Sequence, residues 1–392
     1  MDFLAIKKLR KKLRPIRKKL RPIEEKIRKN MRFPVRLLNG IELSSGAHFG
    51  IIYLGNQENK NYVANLAYGE QYDEIFLGEK WLPNIFLVLK KYTRNYCMII
   101  IDANESLCRL IKSNRDFYIP SWVHGELDLP LIVSDKSSKN DLRKIRKNNL
   151  KFEVTTEKLQ FHQFYHDMYS PYMIKRHGNK NKSLNYNELM RYWESGKCEL
   201  MLIKRENEYV AGEVILFEEN GPRLLILGIK DGDPCYLKYG TGAACYHFSA
   251  HYLQERGYKS MHLGGSRAFL NDGVLHFKKK LGLRLVGKTD DGFLLKPLAA
   301  TAGLRGFLRR NPFIFTNQKE LCGAIFIENG DVCSSQENLT QFSKCFYIDG
   351  LSNLNIYPLN SNGTKSKTMI GSALANRSNV LPAEKKSGLS FE

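Results

Sequence analysis

Tyr239–Gly265 reads YGTGAACYHFSAHYLQERGYKSMHLGG. Two glycines one residue apart, Gly240 and Gly242, open a stretch with helical character, and the apolar run SMHLGG closes it. A glycine-rich turn that leaves unpaired amides at a helix start is a ready seat for phosphate or pyrophosphate. Gly240 and Gly242 allow close backbone approach to such a group, and Thr241 adds a hydroxyl. Glycine turns also precede helices for purely structural reasons, so the pair alone leaves both readings open.

Outward from this stretch, the pattern alternates between layers. Upstream lie two helices, around 157–178 and 185–196, and then three strands, CELMLIKR, YVAGEVILFEE and RLLILGIKD. Downstream come a helix, DGVLHFKKKLG, and a strand pair, LRLVGKT and GFLLKPL. Helix, helix, three strands, helix, strand, helix and two strands predict an α+β (mixed α/β) fold, a mixed sheet flanked by helices.

The residues around the glycines carry a family resemblance. LKYGTG (237–242) resembles the (Q/R)-x-x-G-x-(G/A) turn of the GNAT superfamily of acyl-CoA-dependent N-acyltransferases. Both glycines match; Leu237 stands at the Gln/Arg position, with Lys238 one place along. NDGVLHFKKKLG resembles the family's next element, with Asn271 at the usual Asn and Lys278 where a general-acid tyrosine often stands. HLGGSRAFLNDGVLHFKKKLG also looks like the Fem-type (FemAB) branch, whose Phe-Lys pair corresponds here to Phe277 and Lys278. SKNDLRKIRKNN resembles the basic helix of that branch, in which a first GNAT-like module is often degenerate.

The resemblance implies an acyltransferase with Lys238, Tyr239, Gly240, Thr241, Gly242 and Asn271 binding the donor, acetyl-CoA or another acyl-CoA. It implies Phe277 and Lys278 near the reacting acyl group. A lysine ammonium aimed at the developing oxyanion is often worth about 3 kcal/mol. The attacking amine must also lose a proton, and Glu213 in AGEVILFEE is the candidate base. Glu213 equally suits the solvated face of a sheet, and Lys278 an exposed charge run. Arg267, with Ser266 beside it, is placed to clamp a carboxylate or phosphate of the substrate, or else lies exposed in a loop. His247 and His251 stand four apart, but no third ligand accompanies them, so no metal is expected.

Composition bounds the rest. The 392 residues, 43% hydrophobic and 11% aromatic, suit a globular protein with a large core. No apolar run reaches the length of a membrane span, and the amino terminus lacks the apolar core of a secretory signal. Eight scattered cysteines without a C-x-x-C pair suit reduced thiols in the cytosol. The net charge of +21 is uneven: residues 1–32 hold fourteen Lys or Arg against three acids. Their repeat, RKKLRPI at 10–16 and 17–23, spaces apolar residues like a helix interrupted by Pro15 and Pro22. Such an arm fits an anionic membrane surface, a phosphate backbone, or a solvated tail.

The expected organisation is therefore a basic arm (1–31), a degenerate GNAT-like module (32–133) and an acyltransferase domain (134–298). A small appended β region (299–350) and a disordered tail (351–392) complete it. The expected function is transfer of an acyl group from acyl-CoA to an amine of a sugar, peptide or envelope precursor, in the cytoplasm or peripherally at the membrane's inner face. Aminoacyl-tRNA as donor, and a non-catalytic basic adaptor at membrane or nucleic acid, are the competing expectations.

Overall fold

Arg32–Ile41 (β1), whose burial largely alternates, pairs antiparallel with His48–Leu54 (β2), which is buried on both faces after its first residue. The structure, a computed structural model, describes residues 32–81, 90–93, 95–132, 136–177, 184–328, 336–359 and 368–371. The basic arm, residues 82–89, and the chain after residue 371 lie outside the described residues.

Asn56 caps Gln57–Tyr68 (α1) by accepting from the Asn59 amide, and Tyr72–Trp81 (β3) returns along β1. Met98–Asn104 (β4), Glu105–Ile111 (α2), Phe117–Pro120 (β5) and Val123–Asp128 (β6) follow. Next come Lys136–Lys147 (α3), Leu150–Thr155 (β7), Lys158–Gln163 (α4), a π-helical turn at Phe164–Tyr169, and Ser170–His177 (α5). Tyr186–Glu194 (α6) begins on a capping box formed by Asn185 and Glu188. Cys198–Arg205 (β8), Glu208–Glu218 (β9) and Gly221–Ile229 (β10) form a meander, leading through Cys235–Lys238 (α7) into Thr241–Glu255 (α8). Ser260–Ser266 (β11), Gly273–Lys280 (α9), Arg284–Lys288 (β12), Asp291–Pro297 (β13) and Ala302–Arg310 (α10) come next. The last elements are Phe313–Asn317 (β14), Glu320–Glu328 (β15), Gln336–Phe346 (α11), Asn353–Leu359 (β16) and Thr368–Gly371 (β17).

Two mixed sheets flanked by helices result, as the fold class anticipates. The first runs β17-β16-β15-β14-β5-β13-β4-β2-β1-β3, and the second β12-β6-β11-β10-β9-β8-β7. The sheets exchange strands. β6, from the amino-terminal side of residue 133, lies between β12 and β11 of the second sheet. β13 leaves the second sheet to lie between β5 and β4 of the first. The pairing expected between LRLVGKT and GFLLKPL therefore does not form. β14, β15 and β16 extend the first sheet instead of making a separate appended one, and residues 353–359, expected to be disordered, are a strand with buried Leu354 and Ile356. One apolar core joins both sheets, from Phe49 and Phe117 to Ile203 and Leu263.

In the second sheet β10 and β11 run parallel, connected by α8, and share one registered pair, Arg223 with His262. Beyond that pair they separate. A bulge between Leu224 and Ile226 on the β9 side accompanies the parting, re-aiming the side chains of β10.

Candidate active site

The space between the parting strands is a cavity of about 580 Å³. Leu224–Leu227 of β10 form one wall and Leu263–Gly265 of β11 the other. The start of α8, one face of α9, the π-turn with α5, and α3 close the remaining sides. Five residues singled out in the sequence meet here: Glu213, Gly240, Gly242, Phe277 and Lys278.

Lys278 does not belong to an exposed charge run. Asp272 caps α9 by accepting from the Val274 and Leu275 amides, and this phase buries Leu275 and Lys278 while Lys279 leaves on another face. The Lys278 ammonium donates to the carbonyls of Leu263 (2.7 Å) and Gly265 (3.0 Å), both on β11. Parting from β10 leaves those carbonyls available. Burial lowers the Lys278 pKa to about 8, against the pull of Asp272 and Glu213. An ammonium has three donors, and two are engaged.

Glu213 sits on β9, whose middle is buried on both faces, so the alternative of a solvated sheet face does not hold. Its carboxyl accepts from the Ser249 hydroxyl of α8 at 3.0 Å. Burial pushes its pKa up to about 8, only partly offset by that hydrogen bond and by Lys278. A carboxyl and an ammonium thus titrate in the same range at one cavity, a combination that suits acid–base chemistry.

Gly240 occupies the left-handed region (φ +89°) as the residue before α8, and no side chain caps the helix there. The amides of its first turn are the unpaired donors that a helix start presents. A Cβ on Gly240 would press on the Lys144 Cβ of α3 at 3.1 Å, and Lys144 also lines the cavity.

The other expected site residues lie elsewhere. Thr241 is fully buried and its hydroxyl donates to the Tyr236 carbonyl. The Tyr239 ring carries the Arg205 guanidinium at 4.0 Å, and Lys238 is exposed. Asn271 donates to the Arg310 carbonyl. Ser266 is buried where β11 pairs with β6. Arg267 is neither an exposed loop cation nor a lining residue of the cavity; it is inserted between the rings of Tyr62 and Trp122. His251 faces Glu255 rather than His247, and among the described residues no cluster of three metal-binding groups occurs. Asp141 stands inside α3 and lines the cavity.

Sequence reasoning missed Trp122, Tyr172, Arg176 and Tyr246, all of which line the cavity. Tyr172 and Arg176 are four apart on α5, joined by a 3.0 Å hydrogen bond, and that spacing was legible. Tyr246 meets Phe277 edge to face with ring centres 5.2 Å apart. Trp122, at the crossing between β5 and β6, carried no local signal.

No protein-family model and no curated protein matches the chain. Among solved structures, it is similar to L-PGS from Bacillus licheniformis at 14% identity, over 67% of this chain and 84% of that one, with a TM-score of 0.33. FemX is similar at 13% identity over 64% and 81%, with a TM-score of 0.33. A GCN5-related N-acetyltransferase from Kribbella flavida follows at 10% over 64% and 83%, with a TM-score of 0.29. Scores this low carry no inference about chemistry, which rests on the geometry above.

Proposed function

We infer that the chain transfers an acyl group from a thioester donor, acyl-CoA, to the nitrogen of an amine. The carrying observation is that one cavity, opened by the parting of β10 and β11, contains the buried Lys278 ammonium, the Glu213 carboxyl and the uncapped start of α8. The amine nitrogen attacks the thioester carbonyl, forming the C–N bond. Its proton passes to ionised Glu213, and the C–S bond breaks to release the thiolate. Lys278 stabilises the charge that develops on the carbonyl oxygen, donating to it while β11 carbonyls fix its position. The first-turn amides, with Lys144 in the cavity lining, suit the pyrophosphate of the donor. The acceptor is an amine of a sugar, peptide or envelope precursor, and the basic arm is assigned to an anionic membrane surface.

Aminoacyl-tRNA is the second reading, and α3 favours it. Lys136, Lys139, Arg143, Arg146 and Lys147 are exposed on that helix, with no ion pair among the described residues, beside the cavity that Asp141 and Lys144 line. Such a face suits a polyanionic donor. Mass spectrometry of copurifying ligands distinguishes the two donors. Thiol release from acetyl-CoA, with a panel of amines, tests the chemistry: K278M is expected to lower turnover about 10²–10³-fold. Undiminished turnover in K278M would end the assignment.

A further inference from the structure

Arg267 lies where the chain passes between the two sheets. β5 of the first sheet continues through Ser121 and Trp122 directly into β6 of the second. The return crossing, from β12 to β13, is tied to the same point: the Trp122 amide donates to the Thr289 hydroxyl (3.2 Å) and the Thr289 amide to the Trp122 carbonyl (3.0 Å). Arg267, just after β11, reaches into this junction with a side chain 12% exposed. Its guanidinium lies 4.5 Å from the Tyr62 ring centre on α1 and 4.3 Å from that of Trp122. It donates to the Asn59 side chain at 2.8 Å, and its nearest carboxylate is Glu58 at 3.6 Å. A cation stacked between two rings orients both of them.

Trp122 in turn touches the site. Its ring packs on Gly265, where a Cβ would come within 3.3 Å of the ring, and it forms part of the cavity wall. The Gly265 carbonyl is one of the two acceptors that hold the Lys278 ammonium. A continuous path of contacts therefore runs from α1 of the first module, through Arg267 and Trp122, to the group that faces the reacting carbonyl.

We propose that Arg267 is a positioning residue: by clamping Trp122 against Gly265 it fixes the carbonyl that anchors Lys278, so the first module serves as the fixed support of the second module's site. The inference rests on the cavity's being the reacting centre, yet its test does not need turnover. In the full-length chain labelled with ¹⁵N-lysine, the Lys278 ammonium gives an N–H signal protected from solvent exchange, identified by its loss in K278R.

R267M is expected to speed that exchange about fivefold or more, the worth of roughly one hydrogen bond. R267K, which retains a cation between the rings, falls between R267M and the parent. R109M, on exposed α2, leaves exchange unchanged. Parent-like exchange in a folded R267M overturns the proposal, as does equal acceleration in R109M. If R267M does not fold, W122L replaces it with the same expected acceleration, and parent-like exchange there is equally fatal. A Lys278 signal unprotected in the parent removes the premise and overturns it too. Accelerated exchange without any acyl transfer in the parent keeps the positioning role and rejects the transferase reading.

Discussion

Glu213 and Lys278 are ordinary side chains that burial has made unusual. Each loses its charged form's solvation, so the carboxyl rises and the ammonium falls until both titrate near pH 8. The proposed acyl transfer uses ionised Glu213 and protonated Lys278 together. Turnover is therefore expected to be bell-shaped with its maximum near pH 8, falling about tenfold per unit on either side. A plateau from pH 6 to 10 would remove both groups from the chemistry. The same shift affects stability. Because the folded state holds the Glu213 proton more tightly, stability is lost as pH rises from about 4.5 to 8. E213Q should flatten that decline by up to about 1.4 kcal/mol per pH unit, measured by urea unfolding at several pH values. Lys278 was legible from the Phe-Lys pair, and Glu213 from its place in the strand AGEVILFEE. Their burial was not, because it depends on which strands lie across the sheet.

At the scale of elements, the start of α8 and the seam between β10 and the π-turn decide the cavity's shape. Gly242 borders the cavity with only the end of the Leu237 side chain, at 3.3 Å, near its missing Cβ, so a larger residue is accommodated by a small shift of Leu237 while filling the space proposed for the donor's phosphate. Isothermal titration with CoA should accordingly show binding in the parent and none in G242E; equal affinity would mean that the donor does not use this turn. Gly228 follows the lining residues Leu224–Leu227 and packs against the π-turn. A Cβ there would meet the Tyr169 amide nitrogen at 2.6 Å, and G228A is expected to cost about 1–3 kcal/mol in chemical denaturation. An unchanged midpoint would show that the π-turn is not held against β10. The glycine turn, α8 and the strands around them were readable from sequence, since periodicity and punctuation are local. The parting of β10 and β11 was not, because it is a relation between strands separated by more than thirty residues.

For the whole molecule the decisive feature is the exchange of strands between sheets. The sequence suggested a boundary near residue 133, where a polar, serine-rich stretch enters a basic helix. Composition marks such a join, but it says nothing of sheet membership. β6 comes from one side of that boundary and β13 from the other, and each is inserted between strands of the opposite sheet. Residues 134–298 alone would expose the inner edges of β11 and β12. That fragment is expected to lack a cooperative unfolding transition, and cooperative melting by circular dichroism would contradict the interlocked description. The same interlock places Arg267 and Trp122 at the crossing between the two sheets, where the proposed support of the cavity lies. The account as a whole is tested most directly by a crystal structure with acetyl-CoA bound. It predicts pyrophosphate on the amides that follow Gly240, and the thioester carbonyl within hydrogen-bond reach of the Lys278 ammonium. A donor bound elsewhere, or an empty cavity at saturating acetyl-CoA, would contradict it.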